Sequence, residues 1–292
     1  MTNYIRRWWL IFLIPTLAAF VIGFIVPFAE GLYLSFCNFT TIKKVEFTGF
    51  ENYLKAFEDP AFRKAFLFTV SFTVVSTILI NVAAFAIALA LTGKMKGTNA
   101  FRTVFFMPNL IGGIVLGFIW NILINGVLSV VEQPLLALNA TAGYWGLIIL
   151  MCWQQIGYMM IIYIAGLQAV PEDMLEAAKI DGASGRQTLF KVIIPNVMPS
   201  ITICTFLSLT NGFKLFDQNL ALTGGLPYII NPDGTTVHTT EMLALNIYNT
   251  FYGQNINSRG VAQAKAVLFF ILVAGIGLIQ LYNTRRKEEN AA

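Results

Sequence analysis

Charge is scarce in this 292-residue chain. Lys, Arg, Asp and Glu together make up 12% of it, while 57% is apolar; a soluble domain runs nearer a quarter charged. So few charges cannot build a water-facing surface for a protein of this size. The excess of basic over acidic residues is only +4, too mild for a nucleic-acid partner. Histidine occurs once, as His238, so no His-Glu-x-x-His zinc helix can form. No G-x-x-x-x-G-K-[ST] phosphate loop exists; the nearest fragment, Gly93-Lys94, is followed by Met95. The chain is therefore expected to carry no cofactor, no metal and no hydrolase site of its own. If it moves something uphill, a partner or an ion gradient must supply the energy. The three cysteines, Cys37, Cys152 and Cys204, lie in or at the ends of apolar runs. They have no metal spacing or disulfide framework and read as buried free thiols. The run NPDGTT around Asp233 lacks the alternating carboxylates of a calcium loop and reads as a turn.

What the chain has in quantity is apolar runs. A spanning helix needs about 20 mostly apolar residues, and six runs qualify: 10–36, 66–91, 103–124, 144–168, 201–222 and 261–282. The third contains Pro108, Gly112, Gly113 and Gly117 and is expected to be a kinked span inside a bundle. Arg6 and Arg7 precede the first run as in a signal peptide. That run is too long, and no A-x-A site closes it, so it reads as a retained span. The fold class is thus an all-α membrane protein with six transmembrane helices, read as one domain over 1–292. Six spans put both termini on one side. That side collects eleven basic residues, among them Arg6, Arg7, Lys94, Lys96, Arg102, Lys179, Arg186 and Lys191; the other collects six. Basic residues favour the cytoplasm, so both termini and the segment 169–200 are expected there. Asn38–Ala65, Asn125–Gly143 and Thr223–Gly260 become the outer loops.

Segment 169–200 interrupts the apolar pattern with regularly spaced charges. Pro171 suits a helix start, and Glu172 and Asp173 suit its positive first turn. Gly182 suits a left-handed stop. Ser184 and Gln187 are spaced as a capping box for a second helix, expected to end before Pro195. An ordered, partly apolar knob in water either docks into something or lies on lipid headgroups.

Glu176-Ala177-Ala178, Asp181-Gly182-Ala183, Phe190, Ile193 and Pro195 resemble the signature loop of ABC importer permeases. FTGFENYLKAF (Phe47–Phe57), FRTVFFMPN (Phe101–Asn109) and KLFDQNLALTGGLP (Lys214–Pro227) are similar to the carbohydrate-uptake branch. The last resembles the subunit akin to the larger maltose permease, although the large inserted outer domain of that subunit is absent. The resemblance implies a bacterial inner-membrane permease for sugars, oligosaccharides among them. It implies a second related permease, two cytoplasmic ATPase subunits that bind ATP and Mg, and an extracellular solute-binding protein. It further implies that segment 169–200 is a coupling loop, with Glu176, Ala177, Ala178, Asp181, Gly182 and Pro195 meeting the ATPase. An ion-gradient-driven secondary transporter is the alternative, but no paired broken-helix segments repeat in two halves.

The fifth run holds the best candidates for a substrate path, since ionisable groups inside spans are costly. On a continuous helix Thr210, Asn211, Lys214, Asp217 and Gln218 would share an arc of about 120°. Such a polar stripe suits a hydroxyl-rich ligand. Equally, Lys214 and Asp217, three apart, would neutralise each other, with Lys265 as a further partner for Asp217. Asn121, Gln154 and Gln155 fit helix–helix hydrogen bonds.

Overall fold

The computed structural model describes residues 11, 13–41, 44–93, 97–232, 234–253 and 255–289. Leu10, Arg6, Arg7, Lys43, Lys94, Lys96 and Asp233 lie outside them. In chain order the elements are α1 (Leu13–Leu34), β1 (Cys37–Thr41), β2 (Lys44–Phe47), α2 (Glu51–Glu58), α3 (Pro60–Thr92), α4 (Thr98–Phe106), α5 (Gly113–Val130), α6 (Ala140–Gln168), α7 (Glu172–Ile180), α8 (Gly185–Phe213), α9 (Asp217–Leu222), β3 (Tyr228–Ile230), β4 (Thr236–His238), α10 (Leu243–Tyr252) and α11 (Arg259–Glu289). Among the described residues six helices are long and apolar enough to cross a membrane: α1, α3, α5, α6, α8 and α11. The two strand pairs are short antiparallel hairpins.

Two of the expected spans are shifted. The third begins at Gly113 rather than at residue 103. Thr98–Phe106 is a separate helix, followed by a 3₁₀ turn at Met107–Leu110 and an extended residue at Ile111. Pro108 cannot donate a helical bond, and Gly112 adopts an extended conformation, so the kink is a break. The fifth span runs from Gly185 to Phe213 rather than from 201 to 222. It passes through Pro195, where the second short helix was expected to stop. A π turn at Leu189–Ile193 lets the N–H of Ile194 reach back to the Leu189 carbonyl. That wider turn makes room for the proline ring, and the helix continues.

The chain divides into two compact units. One comprises residues 60–246 and 272–292, the other residues 1–59 and 247–271. The larger unit is built on α3, α6 and α8. Phe72, Ile80, Ala84 and Ala88 of α3 pack with Leu147, Leu150, Met151, Met159 and Met160 of α6 and Cys204 of α8. Between lipid-embedded helices there is little hydrophobic drive, so close approach and hydrogen bonds must hold them. Small residues supply the approach. A Cβ at Gly212 would lie 2.8 Å from Thr73 Cγ2, and one at Gly166 would lie 2.9 Å from Ser200 Cβ. Hydrogen bonds link all three helices: Tyr163 Oη donates to Asn81 Oδ1 (2.6 Å), and Asn81 Nδ2 donates to Ser208 Oγ (3.1 Å).

In the smaller unit the chain leaves α1 at Ser35, turns through the β1–β2 hairpin and enters α2. Asn52 Nδ2 donates to the carbonyls of Ser35 (3.0 Å) and Cys37 (2.9 Å). Ser35 Oγ meets Tyr53 Oη at 2.6 Å. Lys265, on α11 and only 1% exposed, bonds to Asp59 Oδ2 (2.6 Å) and Thr250 Oγ1 (2.8 Å). The expectation that Lys265 would serve Asp217 is thus corrected: a buried ammonium takes the carboxylate offered within its own unit. Losing one partner of a buried pair costs about 3–5 kcal/mol, and the partial exposure of Asp59 puts this pair at the lower end. Asp59→Asn is therefore expected to reduce the amount of folded protein in the membrane and to lower its melting temperature. Adding Lys265→Met should restore most of both. Unchanged abundance in the single variant would refute the account.

Candidate functional site

The polar run expected on one helix face instead straddles a gap. α8 closes with the N–H of Lys214 on the Thr210 carbonyl (3.1 Å). Lys214, Leu215 and Phe216 then leave the helix, and α9 starts at Asp217. The single arc of about 120° assumed an unbroken helix and is therefore not formed. Lys214 and Asp217 form no ion pair with each other; Lys265, for its part, pairs with Asp59. Lys214 and Asp217 are exposed, and Asn211 and Gln218 are half-buried. All four still meet, because together with Met151, Gln155, Leu215 and Phe216 they line one cavity of about 300 Å³.

The gap is held by amides. Asn211 Nδ2, before it, donates to Gln155 Oε1 (3.2 Å); Gln218 Nε2, after it, donates to Gln154 Oε1 (2.7 Å). Gln154 Nε2 in turn donates to the carbonyl of Ile111 (3.2 Å), inside the break of the third span. One glutamine thus joins two interrupted spans. Asn121 Nδ2 donates to the Leu222 carbonyl at the end of α9 (2.6 Å). Gln154, Gln155 and Asn121 do serve as inter-helix ties, as their position in apolar spans suggests, and Gln155 also lines the cavity.

Glycines let α9 approach. A Cβ at Gly113 would lie 2.8 Å from Asp217 Cβ, and one at Gly117 would lie 2.5 Å from Ala221 Cβ and 3.2 Å from the Leu222 nitrogen. The fully buried Asn219 fixes the other side of α9. It donates to the Thr240 carbonyl (2.7 Å) and to Thr223 Oγ1 (3.0 Å), and it accepts from the Met242 N–H (3.0 Å). Sequence reasoning misses Asn219 because it lies off the polar arc. The available signal is a third consecutive polar residue, after Asp217 and Gln218, directly ahead of the apolar Leu220-Ala221-Leu222.

The segment between the fourth and fifth spans forms a second candidate site. α7 ends at Ile180, and Gly182 has φ +70°, as the left-handed stop required. The N–H of Ala183 reaches the Ala178 carbonyl (2.9 Å) and that of Gly182 the Lys179 carbonyl (3.2 Å), the paired bonds of a Schellman corner. Ser184 and Gln187 form the capping box: the Gln187 N–H donates to Ser184 Oγ (3.3 Å) and the Ser184 N–H to Gln187 Oε1 (2.7 Å). Glu176, Ala177, Asp181 and Gly182 are exposed at this corner, while Ala178 is buried. Pro195 is exposed but sits further along α8, away from the corner in the chain. Met174, Ile180 and Phe190 are large apolar side chains exposed on the same segment.

Six apolar helices long enough to cross a membrane, with a polar cavity at a broken span and an ordered two-helix corner, have the anatomy of a membrane permease. The chain belongs to the family of binding-protein-dependent transport system inner membrane components, whose model matches residues 85–289. It is 39% identical over 288 residues to the probable starch degradation products transport system permease protein AmyD of Thermoanaerobacterium thermosulfurigenes, covering 96% of this chain and 95% of that one. It is 32% identical over 292 residues to the multiple sugar-binding transport system permease protein MsmF of Streptococcus mutans, covering 97% of each. A solved bacterial ABC transporter, involved in import of the acidic polysaccharide alginate, contains a chain with the same fold. It superposes with a TM-score of 0.78 at 19% identity, covering 97% of this chain and 98% of that one. The resemblance to carbohydrate-uptake importer permeases read from the sequence is borne out.

The close seat of α9 on α5 is open to test. Gly117→Ala forces a methyl group against Ala221, and overpacking of this kind costs about 1–3 kcal/mol. The melting temperature of the purified protein should fall, and Gly117→Ala with Ala221→Gly should recover much of the loss. An unchanged melting temperature in the single variant would show that the two helices do not press at this point.

Proposed function

We propose that this chain is one transmembrane permease subunit of an ATP-driven importer of sugars, oligosaccharides among them. The observation that carries the reading is the pair of full-length relatives named for starch degradation products and for multiple sugars. The geometry supports it. A cavity lined by amides, one ammonium and one carboxylate at a broken span offers the donors and acceptors a hydroxyl-rich ligand needs. Asn211, Lys214, Asp217 and Gln218 are its substrate-path residues. A second related permease, two cytoplasmic ATPase subunits carrying ATP and Mg, and an extracellular solute-binding protein complete the assembly. Both termini and the Gly182 corner face the cytoplasm. Closure of the ATPase pair acts on that corner through Glu176, Ala177, Ala178, Asp181 and Gly182, with Pro195 shaping the helix behind it, and drives alternating access.

Reconstitution in vesicles tests the whole reading. Uptake of maltodextrins should require ATP, the ATPase subunits and the binding protein. Uptake by this chain alone on an ion gradient would overturn it.

Coupling has its own test. Gly182→Pro fixes φ near −65°, which a left-handed corner cannot accept, and Glu176→Lys reverses a charge on the exposed face. Both variants should assemble yet lose substrate-stimulated ATP hydrolysis and uptake. Normal stimulation in both would rule out this segment as the coupling element.

For the cavity, Asp217→Asn keeps size and some hydrogen bonding but removes charge. A charge-assisted bond is worth about 1.5–3 kcal/mol, hence about tenfold or more in apparent affinity for the transported sugar. Uptake kinetics normalised to membrane abundance should show that loss with abundance preserved. An unchanged affinity would remove Asp217 from the path.

A further inference from the structure

Helix α2 presents three different faces. Asn52 and Ala56 are buried against its own unit. Glu51, Lys55 and Glu58 form a charged face, on which Lys55 and Glu51 pair at 2.6 Å. The third face is apolar and open. Phe50 is 71% exposed, Leu54 62% and Phe57 58%. At helical spacing these three fall within about 60° of one another, with the charged face turned about 100° away. Phe47, at the end of the adjoining hairpin, extends the same apolar character and is also mostly exposed. A soluble surface rarely gathers four large apolar side chains in so short a stretch, and all four are left mostly exposed.

The height of this face is fixed. α2 is fastened to the end of span α1 through the Asn52 bonds to the Ser35 and Cys37 carbonyls and the Ser35–Tyr53 contact. The Phe36 ring meets Phe50 edge-on (centroids 5.3 Å) and Tyr53 at a tilt (5.2 Å). After the intervening hairpin, α2 is thus docked onto residues 35–37, directly beyond the end of α1. Pro60, which opens the next span, follows α2 after Asp59. A short helix fastened to the end of a span, with an apolar face beside a charged one, matches the pattern of a helix lying in the membrane interface. Aromatic rings are favoured at that level.

We propose that α2 is an interfacial helix whose Phe50, Leu54 and Phe57, together with Phe47, insert among lipids at the membrane surface where α1 ends. The immersion stands on the geometry of this unit; only the assignment of that surface to the outer leaflet rests on the orientation given above. α2 thereby fixes the depth at which the first outer loop sits.

The test uses the assembled transporter in vesicles of phosphatidylethanolamine and phosphatidylglycerol. Nitroxide labels are placed singly by Phe50→Cys, Leu54→Cys, Phe57→Cys, Glu51→Cys and Lys55→Cys, and the labelled parent chain supplies the background from the native thiols. Labels at 50, 54 and 57 should be relaxed preferentially by molecular oxygen, which concentrates in lipid. Labels at 51 and 55 should be relaxed several-fold more by a water-soluble nickel chelate. Equal access of the nickel reagent to all five positions would place α2 in water and overturn the proposal. Exclusion of both reagents at 50, 54 and 57 would place the face against a protein partner and overturn it as well. Should a labelled variant fail to assemble, Leu54→Trp in vesicles of acyl-brominated lipid reads the same face: added fluorescence quenching supports immersion, and none refutes it. Fluorescence with bromolipid confined to one leaflet assigns the side separately, so a wrong orientation is distinguishable from a wrong depth.

Discussion

Within hydrocarbon every backbone N–H and C=O must find a partner in the protein, and this fold interrupts two of its spans. The solution depends on amide side chains. An amide is donor and acceptor at once, so Gln154 can take a bond from Gln218 while giving one to the Ile111 carbonyl. Asn121 does the same service for the end of α9. Because neutral groups hold the interruptions, the two ionisable side chains at the gap, Lys214 and Asp217, are not consumed in holding them. They remain exposed at the cavity.

The same economy governs how the helices hold together. Lipid competes with apolar side chains on equal terms, so contact must come from shape and hydrogen bonds. Glycines at 113, 117, 166 and 212 each stand where a side chain would collide with a neighbouring helix. The Tyr163–Asn81–Ser208 chain crosses the α3, α6 and α8 interfaces at one level. Most of the remaining apolar surface, including nearly all of α1, is outward-facing.

Much of this was legible in the sequence, and the reason is locality. Six spans follow from composition and length. The Gly182 corner and the Ser184–Gln187 box follow from backbone chemistry that a few adjacent residues decide. The third span starts later than expected because Pro108 and Gly112 make a full break rather than a kink, and the fifth ends earlier because its break is set by distant residues. α9 separates from α8 where Gly113 and Gly117 receive it, and no local breaker in Lys214–Phe216 announces that. Pro195 was read as a stop because a π turn four residues earlier has no sequence signature. Lys265 was assigned the wrong acid because pairing across more than two hundred residues depends on the fold, not on spacing. The four polar candidates Asn211, Lys214, Asp217 and Gln218 do line one cavity, although they do not form the single helix stripe their spacing suggests.

The helix α8 runs unbroken for 29 residues from Gly185 to Phe213, a rod of about 43 Å at 1.5 Å per residue. Its first residue adjoins the capping Ser184, and its last adjoins the gap at Lys214. The exposed corner and the polar cavity therefore lie at opposite ends of one helix. A tilt of about 5° about one end would move the other by about 4 Å over that length. The distance between corner and cavity is thus set by the length of a single helix, and adding or deleting one turn would change that distance.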